Sequence, residues 1–314
     1  MSVGRFAAIF AVVVLVLQPA TAQAASPPFL TLLFSRTQVA SATQCTPLPQ
    51  AVRLDTAVAP ELKRRGHKGT GTLVLRFTGE RALQCYADRD RNGHIVRGGA
   101  ILGASWAAAG RLRDRFGWAF VSHSRSYRDM TRLAPTQQHA ESCGTLPAFR
   151  AHGHNRADGL FAYPNNRFTA SIQRNVVSRC FDFARAYGGG INTRAAVSRS
   201  WLVHASAVDG GACNIAALQC YRLRTPQRYA SPAALGSRVA RLSQNQWMIL
   251  QGYRFVRGQV PGRFDCTGAD WRSHWTTSTE EYCWSDYLKV LDRITRSTRV
   301  VDPKTVAVAW GRAR

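Results

Sequence analysis

The chain is 314 residues long, with 42 lysines and arginines against 18 acidic residues and a net charge of +24. Its hydrophobic content of 45% excludes a disordered, purely solvated chain, and its length suits one large α/β domain. Lysine occurs only at 63, 68, 289 and 304, so the charge is almost all arginine; such a field draws polyanions, yet no specific nucleic-acid motif and no basic helix with interleaved aromatics is present.

Residues 1–24 read as a secretory leader, with Arg5 as the charged start, Phe6 to Leu17 as the apolar core and Ala22-Gln23-Ala24 as the cleavage site. That core is about 12 residues, short of the roughly 20 a membrane span needs, and no later run is long enough. The expectation is an exported, monomeric protein whose mature part, 25–314, is a single domain without a membrane span. Eight cysteines (45, 85, 143, 180, 213, 220, 266 and 283) fit an oxidising compartment. None forms a C-x-x-C pair, which argues against a zinc ribbon or a thioredoxin-like site. Pairing of neighbours is expected, with Cys213–Cys220 and Cys266–Cys283 closing local loops.

In chain order, FLTLLF at 29–34 is a continuous apolar run, the pattern of a strand buried on both faces. Residues 57–65 read as a helix with Pro60 in its first turn, and 71–77 as a second strand, so the first unit is βαβ with parallel strands. Asp88 to Gly93 resembles the start of a calcium loop, but Gly99 stands where the ligating glutamate belongs, and Asn92-Gly93 is equally a hairpin turn. Residues 105–116 form a helix. It leads into a short strand, Trp118 to Val121, which delivers His123 and then a polar turn that opens a helix. Residues 133–143 are helical, 160–164 a strand, 169–187 one long helix, and 191–230 loop-rich. A helix at 231–244, a strand at 246–256, a cysteine- and aromatic-rich insertion at 264–282, and helices at 283–294 and 303–310 complete the chain.

A histidine just past a strand end lies where α/β folds place their chemistry. His123 and Tyr127 are spaced i, i+4 and would share one face of a helical turn.

The order and spacing of these segments across residues 28–310 resemble the polysaccharide deacetylases of the NodB type, carbohydrate esterase family four. FLTLLFSRT is similar to the family's first strand ending Thr-Phe-Asp-Asp-Gly, APELKRRGHKGTGTLVL to its helix and second strand, and GWAFVSHSRSY to its G-x-E-x-G-x-H-(S/T)-x-x-H segment. LFAYPNN and QWMILQGYRFV resemble its R-x-P-Y-G strand and its late strand. The resemblance implies a distorted parallel (β/α) barrel, here disulfide-stabilised, with the site at the carboxyl ends of the strands. It also implies hydrolytic removal of N- or O-acyl groups from a cell-wall or other extracellular glycan at a divalent metal, zinc being the expected ion.

The departures are specific. Ser35 and Arg36 replace the two aspartates that serve the family as general base and metal ligand. Tyr127 replaces the second metal histidine, Ala162 the arginine of the third motif, and Asn165 its glycine. The catalytic candidates are therefore His123, Tyr127, Ser35 and Arg36, with Tyr163, Asn165, Asn166 and Tyr253 as substrate contacts. His152 and His154, two apart on an extended segment, face one way and with His123 could rebuild a three-histidine metal site; the alternative is no metal at all. Two readings follow: a secreted deacetylase-type hydrolase, or a catalytically inactive relative that binds an anionic wall polysaccharide through the same groove.

Overall fold

The computed structural model describes residues 25–34, 52–78, 85–89, 95–100, 104–187, 191–199, 202–207, 231–252, 254–261, 264–276 and 281–314. The expected leader, Ser35, Arg36, Tyr253 and the Cys213–Cys220 loop lie outside the described residues. So do Asp90 to His94 at the suspected calcium turn, but the flanking strands Cys85–Arg89 and Ile95–Ala100 pair antiparallel, the geometry of a hairpin.

Seven parallel strands carry the architecture: β1 (Phe29–Phe34), β2 (Gly69–Leu73), β3 (Ala119–Ser122), β4 (Phe161–Ala162), β5 (Ala184–Tyr187), β6 (Leu202–Ala207) and β7 (Gln246–Gly252). Each pairs with the next, and β7 pairs back along the whole of β1, from Phe29 opposite Trp247 to Phe34 opposite Gly252. The ladder therefore closes into a parallel α/β barrel, as expected. The β3–β4 and β4–β5 contacts are one and two residue pairs long, so closure is uneven and the barrel distorted.

Side chains alternate across each strand, and the two core clusters identify the faces. Phe29, Leu33, Val121, Leu160, Phe183, Trp247 and Ile249 fill the inside, where Val306, Ala307 and Trp310 of the helix Pro303–Ala309 and its C-cap join them as a plug. Leu30, Leu32, Phe34, Phe120, Phe161 and Leu250 face outward into the larger core beneath the helices. Among those helices is Trp106–Phe116, which starts on a Ser105 cap and ends at Gly117 with φ 67°. The Pro232–Ala240 helix packs on Trp284–Leu291. At the N-terminal end of the barrel the segment Arg299–Val300 wedges beside β1, pairing with Phe29 and Leu30 where β2 has not yet begun.

Four expectations are corrected. The second strand starts at Gly69 and gives way after Leu73 to a 3₁₀ turn at Leu75–Phe77. The turn after His123 opens no helix; the next regular element is a 3₁₀ turn, Met130–Arg132. The long helix at 169–187 does not exist. A short helix, Ala170–Asn175, stops at Val176, a 3₁₀ turn brings Cys180 to Cys143, and the remainder is the barrel strand β5. Strand β6 lies in the stretch expected to be loop. Cys266–Cys283 is bonded as expected, and no helix among the described residues is long and apolar enough to cross a membrane.

Candidate functional site at the barrel mouth

The carboxyl ends of β3 and β4 converge on His123. Its backbone N–H donates to Leu73 O (2.8 Å), tying the strand end to β2, and its Nδ1 lies 2.8 Å from Ala162 O on β4. A carbonyl only accepts, so Nδ1 carries the proton and Nε2 the lone pair. The ring is 7% exposed.

The loop after His123 is held by an unusual set of contacts. Leu75 and Arg76 donate their N–H groups to Ser124 O and Arg125 O, at 3.2 and 2.8 Å, so the β2 and β3 ends continue side by side. Ser124 (φ 77°) and Tyr127 (φ 63°) occupy the left-handed region without being glycine. The Ser124 hydroxyl accepts from Tyr127 N at 2.8 Å, and the buried Glu141 carboxylate accepts from both Ser126 N (2.9 Å) and Ser126 Oγ. Asn165 (φ 50°) and Asn166 (φ 57°) adopt the same region after β4, where asparagine is tolerated best. Of the five described non-glycine residues with positive φ, four stand at these two strand ends, the kind of strain that clusters at functional sites.

His123 and Tyr127 do meet, ring edge to face at 4.9 Å, though through a left-handed turn and not through helical spacing. Asn165 is exposed and Asn166 half-buried on the same rim. Tyr163 is placed elsewhere. It is wholly buried, stacked at 4.7 Å on Phe168 and edge-on to Phe161, with its hydroxyl unpartnered, and burial pushes its acidity far down. It stands as core, so its expected role as a substrate contact is withdrawn. Glu141 is committed to the loop, and Asp158 pairs with Lys304 of the plug helix (2.9 Å), away from the mouth. Trp284 is buried against Phe255 and Tyr287.

The three-histidine metal site is not assembled. His152 lies flat on the Trp106 ring at 4.3 Å, and His154 is buried among Trp106, Phe120 and Phe149, on the outward side of the barrel wall. Burial, and then the nearby Arg113, hold the His154 imidazole down at about 4. Among the described residues one trio of potential ligand atoms comes together, His274, Cys283 and Asp286, and Cys283 is consumed by its disulfide. His274 is instead fastened within the late insertion by Asp286 Oδ2 (2.6 Å) and Gly268 O (2.7 Å). At the mouth the donor set is one imidazole beside a phenol, with serine and arginine at 35 and 36 in the sequence. The described members of that set do not by themselves supply the three nitrogen or carboxylate ligands that a divalent hydrolytic centre needs.

Three inward-facing residues complete the floor. Arg185 on β5 is fully buried and is the register partner of Ala162, whose carbonyl holds His123. Gln251 on β7 is fully buried near its strand end, and Thr72 Oγ1 on β2 is buried without a partner. The barrel interior therefore changes from apolar at the plugged end to polar beneath the mouth. Arg185 was invisible in a segment read as helix; the alternation Phe181, Phe183, Arg185, Tyr187 carries the signal that could have found it.

The chain matches no protein-family model and no curated protein. Solved structures that align with it over most of its length are deacetylases of carbohydrate esterase family four. A family 4 carbohydrate esterase from Streptomyces lividans is 13% identical, over 88% of this chain and 95% of that one, with a TM-score of 0.44. A chitin deacetylase from the fungal pathogen Colletotrichum lindemuthianum is 12% identical over 92% and 89%, at 0.46. A CE4 family pseudoenzyme from Bacillus anthracis is 12% identical over 72% and 54%, at 0.36.

Proposed function

We propose that the protein is an exported, non-hydrolytic relative of the deacetylase barrels that binds an anionic extracellular glycan at the barrel mouth. The observation that carries this reading is the donor set around His123. Hydrolysis of an acetamide needs an activated water, which a metal supplies by lowering the pKa of the bound water. Among the described residues one imidazole is delivered, with Tyr127 beside it, and by the sequence resemblance Ser35 and Arg36 stand in place of the family's two aspartates. An arginine at that position repels a cation and attracts a carboxylate or sulfate on a sugar. His123, Tyr127, Asn165 and Asn166 bring imidazole, hydroxyl and amide groups to the same rim, the group types that hydrogen-bond sugar hydroxyls. The glycan ligand rests on the sequence resemblance, export on the leader, and the anionic character on the +24 charge.

The lone pair on His123 Nε2 favours one competing reading, a metal-independent hydrolase with His123 as general base. Both are tested by titrating the purified mature protein with acetylated uronate-containing oligosaccharides while assaying acetate release, with and without zinc or a chelator. Binding that is chelator-insensitive, falls about tenfold in His123→Ala, and is accompanied by no acetate supports the binder. Catalytic acetate release abolished by His123→Ala overturns it. So does binding that neither His123→Ala nor Tyr127→Phe alters.

A further inference from the structure

A well-formed cavity lies at the other end of the barrel from the mouth. Its volume is about 770 Å³, and it opens where β2 and β3 begin and where Arg299–Val300 wedges beside β1. That size is in the range of small-ligand sites, roughly 300–1,000 Å³. Its walls carry Arg65, Lys68, Arg296 and Arg299 against two carboxylates, Asp292 and Asp302.

Both carboxylates are already engaged. Asp292 is paired with Arg65, which also holds Glu61 at 2.7 Å. Asp302 receives Arg156 at 3.0 Å and caps its own helix through Thr305 N at 3.1 Å. Lys68, Arg296 and Arg299 pair with no carboxylate among the described residues. They are also placed by the fold: Arg299 belongs to the strand segment hydrogen-bonded to Pro28 O at 2.9 Å. The stem of Lys68 lies along Gly117, where a Cβ would sit 3.2 Å from its Cε. Three cations thus line one cavity without a carboxylate partner, and an anion bound there would lower their mutual repulsion.

We propose that this cavity is a second binding site, for a ligand with at least two oxyanion groups held between Lys68 on one wall and Arg296 and Arg299 on the other. The site is separate from the mouth and does not depend on the glycan reading of it. Pyrophosphate represents the small-molecule source of this chemistry, and a short polyglycerol-phosphate oligomer the polymer source.

The test is a calorimetric titration of the folded, full mature chain with each probe, at low salt and at physiological salt. Three variants are compared with wild type: Lys68→Glu/Arg299→Glu, the milder Lys68→Gln/Arg299→Gln, and a control reversing two exposed arginines elsewhere, Arg150→Glu/Arg174→Glu. The expected result is one site per chain, weakened at least tenfold by the first pair, several-fold by the second, and little changed by the control or by His123→Ala. Binding of pyrophosphate assigns the site to a small anion, and binding of the oligomer alone to a polymer. Absence of saturable binding by either probe overturns the proposal. An equal loss in the control pair also overturns it, since the overall charge would then account for the effect.

Discussion

Glu141 is the side chain on which the shape of the mouth depends. Its carboxylate is 5% exposed and accepts from Ser126 N at 2.9 Å and from Ser126 Oγ, holding a turn in which Ser124 and Tyr127 are left-handed. Hydrogen bonds to a charged group contribute about 1.5–3 kcal/mol each, and Ser126 is half-exposed, so water recovers part of the loss. The backbone bond from Arg125 N to Glu141 O (3.0 Å) and the Ser124–Tyr127 bond survive substitution. Glu141→Ala is therefore expected to destabilise by about 3 kcal/mol. Glu141→Gln, which keeps one acceptor and the shape, should lose about 1 kcal/mol. In urea, with a slope of about 3 kcal/mol/M, the alanine variant unfolds about 1 M earlier. It should also bind the mouth ligand more weakly, because Tyr127 leaves a conformation that costs it about 1–2 kcal/mol. A midpoint within about 0.2 M of wild type would refute the reasoning; a glutamine variant as damaged as the alanine one would show that the charge and the second acceptor carry the whole effect and the retained shape none of it.

Three further outcomes follow from other contacts. Removing the Cys143–Cys180 bridge by Cys143→Ser/Cys180→Ser frees a separation of 37 residues and should lower stability by up to about 4 kcal/mol; an unchanged urea midpoint in the double variant would contradict this. His154 is held down at about 4 by burial and Arg113. Its contribution is thus fully present above the ordinary histidine range near 6.5 and is lost as pH falls toward 4. His154→Phe should flatten the decline in thermal midpoint between those values, and an unaltered pH profile would count against the assignment. Gly69→Ala would place a methyl 2.5 Å from the buried Trp118 ring, an overpacking expected to lose about 1–3 kcal/mol and to shift the tryptophan emission; wild-type stability and emission would show that the ring can retreat.

Much of the barrel was legible because its strands are hydrophobic on both faces. FLTLLF could be little else, and the Ser105 cap and Gly117 terminus framed their helix as the sequence suggested. What failed has a common cause. Between Thr169 and Tyr187 the apolar residues satisfy helical spacing as well as strand alternation, and no proline or glycine interrupts them. The break is imposed from outside, by Cys143 drawing Cys180 across and by Asp182 anchoring to Lys304 at 2.9 Å. With that strand hidden, Arg185 could not be placed inside the barrel. The histidines at 152 and 154 misled for a different reason: a metal ligand and an aromatic-stacking partner have the same spacing, and only Trp106, some fifty residues earlier, distinguishes them. At the mouth, the meeting of His123 with Tyr127 was anticipated by separation in sequence, while the left-handed turn that produces it had no signature.

The wedge at Arg299–Val300 and the plug at Pro303–Trp310 place the last residues of the chain against the first strand. Thr31 donates its hydroxyl to Val301 O at 2.8 Å across 270 residues, and Trp310 Nε1 donates to Ser26 Oγ across 284. A chain emerging N-terminus first gains β2 for one edge of β1 early, but must carry the other edge, apolar at every position but Thr31, until β7 is made, and the wedge and plug come later still. Contacts of such separation form late and slowly, and an exposed strand of this kind pairs readily with other chains in the interval. Loss of residues 303–314 would therefore uncover the rings of Phe29, Phe183 and Trp247, which Trp310 and its helix now cover, and open that end of the barrel to water.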